Sequence, residues 1–408
     1  MRPIRSHART DRRARRAARV PAIATTAALL LVTAACTSPA SGPTPEPSPT
    51  ATTSPTPSAT PTPSPTADPL ADLSLEQRVG QLFMVGTDAA TAEQVTLDAI
   101  TASHVGNVFL AGRSNAGVDA TAAVVEQLTA AVTDEATGGV PLLVATDQEG
   151  GNVQVLRGPG FSDIPTALDQ GALDPATLQA DATTWGAELA ASGINLNLAP
   201  VMDVVASPEA AAANPPIGYF HREFGYDAET VASHANAFSA GMRASGVETV
   251  IKHFPGLGRV TENTDTTAGV VDDVTTADDA SVQAFAAGID AGAAFVMTST
   301  AVYSQIDPDA PAAFSREIVS DLLRGQLGFD GVVVTDDVSA AEQVQAWSPA
   351  DRAILAIEAG TDIVLVSADP SIAAEMVAAV VAKAQADPDF AAIVDDAARR
   401  VLAAKGVA

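Results

Sequence analysis

Eight short β-rich runs recur along the chain with helical stretches between them, and this alternation restricts the fold more than any other feature. The runs are residues 81–85, 105–110, 142–146, 194–199, 248–252, 294–297, 331–335 and 362–366. Ala/Leu/Glu-rich helical patterns fall at 120–132, 176–191, 228–244, 281–290, 315–327, 350–358 and 371–383. A strand that returns to its neighbour through a helix runs parallel to it, so the pattern predicts a parallel sheet. Eight units over roughly 300 residues fit a closed (β/α)₈ TIM barrel better than an open doubly wound sheet. No Gly-x-Gly-x-x-Gly follows the first run, which argues against a dinucleotide site. Hydrophobic residues make up 47% of the chain but aromatics only 4%, so the core must be built from small and branched aliphatics.

The 408 residues exceed what one barrel needs, and the excess lies at the N-terminus. Arginines from Arg2 to Arg19 lead into the apolar run 22–32, followed by Thr33-Ala34-Ala35-Cys36. This is the order of an export leader: basic region, short apolar region, small-residue cleavage site. The Ala-Ala-Cys ending resembles a bacterial lipobox, with Thr33 where Leu is usual. The resemblance implies that Cys36, the single cysteine, is lipidated and becomes the new N-terminus. Residues 37–69 are nearly all Thr, Ser, Pro and Ala. They cannot bury enough surface to order, and at about 3.1 Å per residue they form a stalk reaching on the order of 100 Å. The expected organisation is a leader over 1–35, a lipidated cysteine and linker over 36–69, and a single barrel over 70–408. The expected location is extracytoplasmic, held to the cell membrane by lipid alone.

The formal net charge is −27, and eight arginines belong to the leader, so the remainder is more acidic still. Such a surface repels phosphate backbones, which sets nucleic acid aside as a partner. No metal-ligand spacing and no nucleotide motif occur, so no cofactor and no metal are expected. The protein is expected to be monomeric.

In a barrel of this kind the active site lies at the C-terminal ends of the strands. Four runs end in titratable groups there: Asp147-Gln148-Glu149-Gly150-Gly151 after the third, Asp203 after the fourth, Lys252-His253 at the fifth and Asp336-Asp337 at the seventh. One acid after a strand is commonly a helix cap; four strands delivering such groups to one rim point to a site.

These strings resemble glycoside hydrolase family 3, and within it the single-domain β-N-acetylglucosaminidase branch. The resemblance rests on Asp147-Gln148-Glu149-Gly150-Gly151, Asn197-Leu198-Ala199-Pro200-Val201-Met202-Asp203-Val204, Lys252-His253-Phe254-Pro255-Gly256 and the segment from Gly328 to Asp337. It implies exo-acting, retaining hydrolysis of β-linked amino sugars from cell-wall fragments or other surface glycans, which are then the expected partner. It makes Asp336 the nucleophile, with Asp337 as the alternative. It makes Asp147, Arg222, Lys252 and His253 the residues that hold the sugar. Asp203 and Glu149 are expected to brace the rim, and His221 to be a surface residue.

The resemblance breaks in the loop after the fifth run. That branch carries an Asp-Ser-His string there, whose histidine donates the proton. Here Asn263 takes the aspartate position and Asp265 the histidine position, Leu257 replaces a usual histidine, and no histidine follows His253. Asp265 is therefore expected to act as general acid/base, with Glu262 as the alternative. The altered loop also leaves open a β-glucosidase-type activity or a non-catalytic sugar-binding role.

Overall fold

The computed structural model describes residues 68–407; the expected leader, Cys36 and most of the tether lie outside the described residues. All eight expected strands form: β1 (Phe83–Asp88), β2 (Asn107–Ala111), β3 (Leu143–Thr146), β4 (Leu196–Asn197), β5 (Glu248–Phe254), β6 (Phe295–Thr298), β7 (Val332–Thr335) and β8 (Val364–Val366). They pair in parallel in the order β7-β6-β5-β4-β3-β2-β1-β8. A parallel bridge between Val334 and Ile363 joins β7 to β8 and completes the circle. The fold is a (β/α)₈ barrel. β4 is shorter than its run because Pro200 has no amide hydrogen to continue the ladder; pairing with β5 resumes at a bridge between Val201 and Lys252.

The strands are apolar on both faces, as a sheet covered inside and out requires. Successive side chains point to opposite sides, so Met84, Phe109, Leu143, Ala145, Val250, Phe295, Val334 and Leu365 fill the barrel. Their neighbours Phe83, Val85, Val364 and Val366 pack outward against helices, as do Val108, Val144, Val296 and Val333.

The outer ring contains α1 (Leu75–Gly80), α2 (Gln94–Ala102), α3 (Val118–Thr129), α4 (Pro175–Ala191), α5 (Ala228–Ala244), α6 (Ala280–Asp290), α7 (Glu317–Gln326), α8 (Pro349–Ala359), α9 (Ala373–Ala386) and α10 (Pro388–Ala404). Of these, α1, α2 and α10 are not among the helical stretches read from the sequence. The start of α1 is set by a capping box, Ser74 accepting from the Gln77 amide while the Gln77 side chain accepts from the Ser74 amide; this satisfies two otherwise unpaired donors. α10 closes the N-terminal end of the barrel: Val401 joins the interior cluster, and Lys405 donates to Gln81 Oε1 at 2.6 Å and to the Gly106 carbonyl at 2.8 Å.

One buried carboxylate ties this closure together. Asp362, at the entry to β8, accepts from Arg324 of α7 at 2.5 Å, from Arg400 of α10 at 2.8 Å and from the Val333 amide at 2.7 Å. Removing one partner of a buried ion pair costs roughly 3–5 kcal/mol, because the charge left behind has no water to solvate it. Asp362→Ala is therefore expected to lower unfolding free energy by about that much in urea titrations, while leaving the opposite end of the barrel intact.

Candidate active site

The C-terminal ends of the strands surround one cavity of about 530 Å³. Asp147, Arg222, Lys252, His253, Asp265 and Asp336 all line it, and so does Asp337. Seven residues separated by up to 190 positions in the chain thus converge on one space. Glu262, the alternative acid, is exposed and is not among the lining residues.

One wall is a chain of alternating charges. The Lys252 ammonium, 3% exposed, lies 2.6 Å from Asp147 Oδ1 and 2.6 Å from Glu149 Oε1. Glu149, 4% exposed, is gripped from its other side by Arg222, whose Nε donates to Oε2 at 2.9 Å and Nη2 to Oε1 at 2.7 Å. Two cations and two anions balance, so none is left buried without a counter-charge. Burial alone would raise the Glu149 carboxyl, but the Arg222 and Lys252 charges outweigh it and hold it down at about 2. Burial likewise disfavours a charged Lys252, and Asp147 and Glu149 overcome that and raise it above the ordinary lysine value. Asp147 remains 27% exposed on its pocket side, where a hydroxyl can reach it.

The hairpin after β3, Gln148–Gly150 paired with Val153–Gln154, turns Glu149 inward. Its return depends on Gly150, whose φ is +115°; a Cβ there would sit 2.1 Å from the Pro165 carbonyl oxygen. Glu149 was read from the sequence as bracing the rim. Its partner Arg222 lies 73 residues away, so no local pattern could reveal that it orients two pocket cations.

His253 is fixed by Asp203, which is fully buried and accepts from His253 Nδ1 at 2.7 Å, from the His253 amide at 3.1 Å and from the Leu257 amide at 2.7 Å. An aspartate facing Nδ1 orients the ring, and Nε2 lies beside Arg222 Nη2 at 3.4 Å. Asp203 thus braces the rim, as expected. His221 is exposed and lies outside the pocket lining.

The opposite wall is acidic, and its two adjacent carboxylates differ sharply. Asp337 accepts at Oδ1 from the Ser339 amide and hydroxyl and from the Ser367 amide, and at Oδ2 from the Ser339 hydroxyl and the Ala368 amide, at 2.7–3.3 Å. It is committed to holding the loops after β7 and β8 together. Among the described residues Asp336 accepts one bond, from the Asp337 amide at 2.8 Å, while its own amide donates to the Thr298 carbonyl at 2.9 Å. Its backbone is anchored and its carboxylate is available to a ligand.

Asp265 comes in on the loop after β5. Its side chain is exposed toward the pocket, yet the protein packed around it withdraws part of its solvation. That crowding first, and the Asp336 charge second, push its carboxyl up to about 6, against the opposing pull of Arg222. Like charges and desolvation both disfavour ionisation. Asn263, at the branch's aspartate position, also lines the cavity, as do Arg113, Asn152 and Phe220, which no periodic signal in the sequence marks.

A barrel with this constellation at its C-terminal rim has the form of an enzyme active site, and comparison with known proteins places it. Residues 74–404 match the glycosyl hydrolase family 3 N terminal domain. The chain belongs to this family and is a glycoside hydrolase. It is 39% identical over 266 residues to a β-hexosaminidase of Xanthomonas campestris pv. campestris, covering 63% of this chain and 76% of that protein. It is 37% identical over 293 residues to a β-hexosaminidase of Xylella fastidiosa, covering 70% of this chain and 83% of that one. Among solved structures, a family 3 β-N-acetylglucosaminidase from Paenibacillus sp. superposes with a TM-score of 0.76 at 32% identity. That match covers 82% of this chain and 62% of the Paenibacillus chain, so this protein spans less than two thirds of that relative's length.

The charge wall has a measurable signature. Glu149 titrates near 4.5 when unfolded and near 2 when folded, so its stabilisation is complete above about pH 4.5 and is lost as pH falls through about 2. Glu149→Gln leaves Arg222 and Lys252 with one anion between them. The variant is expected to lose roughly 3–5 kcal/mol at pH 7 in denaturant unfolding, and to lose less at pH 2. An equal loss at both pH values would contradict a stabilising role for the ionised carboxylate.

Proposed function

We propose that this protein is a β-N-acetylhexosaminidase that removes non-reducing β-linked N-acetylglucosamine from cell-wall fragments or other surface glycans, with retention of configuration. The observation that carries the reading is the division of labour around one cavity. A neutral, rigid wall of Asp147, Lys252, Glu149 and Arg222 faces an acidic wall of Asp336 and Asp265. The names of the relatives supply the sugar.

In the first step the Asp336 carboxylate attacks the anomeric carbon while Asp265 gives its proton to the departing glycosidic oxygen. The product is a glycosyl ester on Asp336 and a released alcohol. In the second step Asp265, now ionised, takes a proton from water as that water attacks the same carbon and frees Asp336. Two carboxyl groups about 5 Å apart perform this exchange in retaining hydrolases. Asp336 suits the nucleophile's role better than Asp337, whose oxygens are already engaged by loop amides and the Ser339 hydroxyl. Asp147, Lys252, Arg222 and His253 bind the sugar hydroxyls: Asp147 accepts from them, and Lys252 and Arg222 donate.

Asp265 suits the acid's role because it lines the cavity and remains protonated at mildly acidic pH. A free aspartic acid near 3.9 would be almost wholly ionised at pH 6; at about 6, half the molecules keep the proton. Donation requires the protonated form, so kcat/KM is expected to fall as pH rises through about 6. In Asp265→Asn that limb disappears, and with a poor leaving group the rate drops by roughly 10²–10⁴-fold. An unchanged profile would remove Asp265 from the mechanism. An anionic base also repels phosphate, so added phosphate is expected to leave turnover unaccelerated and to yield no sugar 1-phosphate.

The primary test is release of the aryl group from an activated aryl β-N-acetylglucosaminide. A good leaving group needs little protonation, so this assay isolates the nucleophile. Turnover by the wild type that vanishes in Asp336→Ala supports the assignment; turnover that survives the substitution overturns it.

We extend the reading to location: the enzyme is exported and tethered to the cell membrane through a lipid on Cys36. The support is the order of leader, lipobox-like ending and Pro/Ser/Thr-rich stalk in the sequence. Incorporation of labelled fatty acid by the wild type and not by Cys36→Ala is the expected result.

A further inference from the structure

The loop that brings in Asp265 is joined to the loop after β7 by a single residue pair, Glu342 and Gln343. Between residues 261 and 269, among the described residues, the hydrogen bonds that leave the loop run to these two residues' amides. Glu342 donates to the Asp265 carbonyl at 3.2 Å and Gln343 to the Thr264 carbonyl at 3.1 Å. The Gln343 side chain then reaches the far end of the loop. Its Oε1 accepts from the Val270 amide at 2.8 Å and its Nε2 donates to the Val270 carbonyl at 3.1 Å. The side-chain amide pairs with the N–H and C=O of one residue much as a neighbouring strand would, and it is buried while doing so.

The near end of the loop is pinned in the same manner. The buried Asn214 side chain donates to the Leu257 and Val260 carbonyls, each at 2.8 Å, and Tyr303 donates to the Gly256 carbonyl at 2.9 Å. Both ends are fixed, and the apex carrying Asp265 leans on the segment that directly follows Asp336 and Asp337.

We propose that Gln343 is the positioning residue for the general acid: its side-chain amide clamps the Asp265 loop onto the loop that carries the nucleophile. The inference rests on the assignment of Asp265 as the acid. It follows from geometry, because a buried amide with both groups paired to one residue holds register, and losing the pairing leaves the buried Val270 N–H unsatisfied, while the Val270 carbonyl keeps the Val302 amide. Gln343 touches neither sugar nor reacting atoms.

The test compares kcat/KM for two β-N-acetylglucosaminides in the full chain, one with a 2,4-dinitrophenyl and one with a methyl leaving group. The dinitrophenolate leaves without a proton; the methoxide does not. Gln343→Met keeps volume and removes both bonds. It is expected to retain activity on the dinitrophenyl substrate within about threefold and to lose at least about tenfold on the methyl glycoside, a fraction of what a general acid supplies. The basic limb of its pH profile is expected to move below that of the wild type, as Asp265 escapes its crowded setting. Gln343→Glu keeps the acceptor for the Val270 amide and is expected to fall between the two. Should Gln343→Met fail to fold, Gln343→Glu still reports the direction of the ratio.

An equal loss on both substrates with an unmoved pH limb would show a merely structural role and overturn the clamp. Asp265→Asn, run in parallel, separates the two ideas. If it shows leaving-group selectivity and Gln343→Met does not, the clamp alone is wrong. If Asp265→Asn shows none, the acid assignment fails and the clamp falls with it.

Discussion

The placement of Lys252 in the barrel wall governs the pocket around it. An ammonium so deeply buried is tolerated only with anions in contact, and Asp147 and Glu149 each stand 2.6 Å away. Glu149 in turn holds Arg222 by two parallel bonds, the geometry in which a guanidinium is most firmly oriented. The local sequence is organised around satisfying this one charge: a hairpin to bring Glu149 back, a glycine to let that hairpin turn, and a loop from β4 to deliver Arg222. Because the charges cancel among themselves, the donors and acceptors facing the pocket are already fixed in direction, and a neutral sugar bound as proposed would require little reorganisation of them.

The acidic wall works by the opposite principle. Asp336 and Asp337 are adjacent and chemically identical, and their hydrogen bonds alone distinguish them. Asp337 is consumed in joining two loops, whereas Asp336 has a tethered backbone and an open carboxylate. Asp265 completes the asymmetry, since its crowding and its proximity to Asp336 favour the protonated form. In the proposed mechanism this is the division between acid and nucleophile: one carboxyl group kept protonated by its surroundings, the other held open to a ligand.

Much of this was legible in the sequence, for identifiable reasons. Strands apolar on both faces, alternating with helical patterns, leave few topologies open, and titratable residues at strand ends then mark the rim. Helix α1 is too short for a periodic signal, and its Ser74–Gln77 capping box is the sign that could have found it. The motif strings led to Asp147, Lys252, His253 and Asp336, and the departure from the motif led to Asp265. The supporting contacts were not legible. Glu149 reaches Arg222 across 73 residues, and Gln343 reaches Val270 across the same separation; neither glutamine nor glutamate there differs locally from a solvated surface residue. Such pairings are set by the three-dimensional return of loops, which no window of sequence contains.

The order of strands carries a temporal consequence. β1 lies between β2 and β8, the second and the eighth strands in the chain. During vectorial synthesis one edge of β1 therefore waits, with its peptide groups unpaired, until nearly the entire domain has emerged. α10, which caps the interior with Val401, is later still. A nascent barrel of this kind is an open, curved sheet with an exposed apolar inner face, a species that associates with others unless kept apart. The contacts at Asp362 draw together α7, β7, β8 and α10, so this part of the closure can form only after the last of those elements has been made.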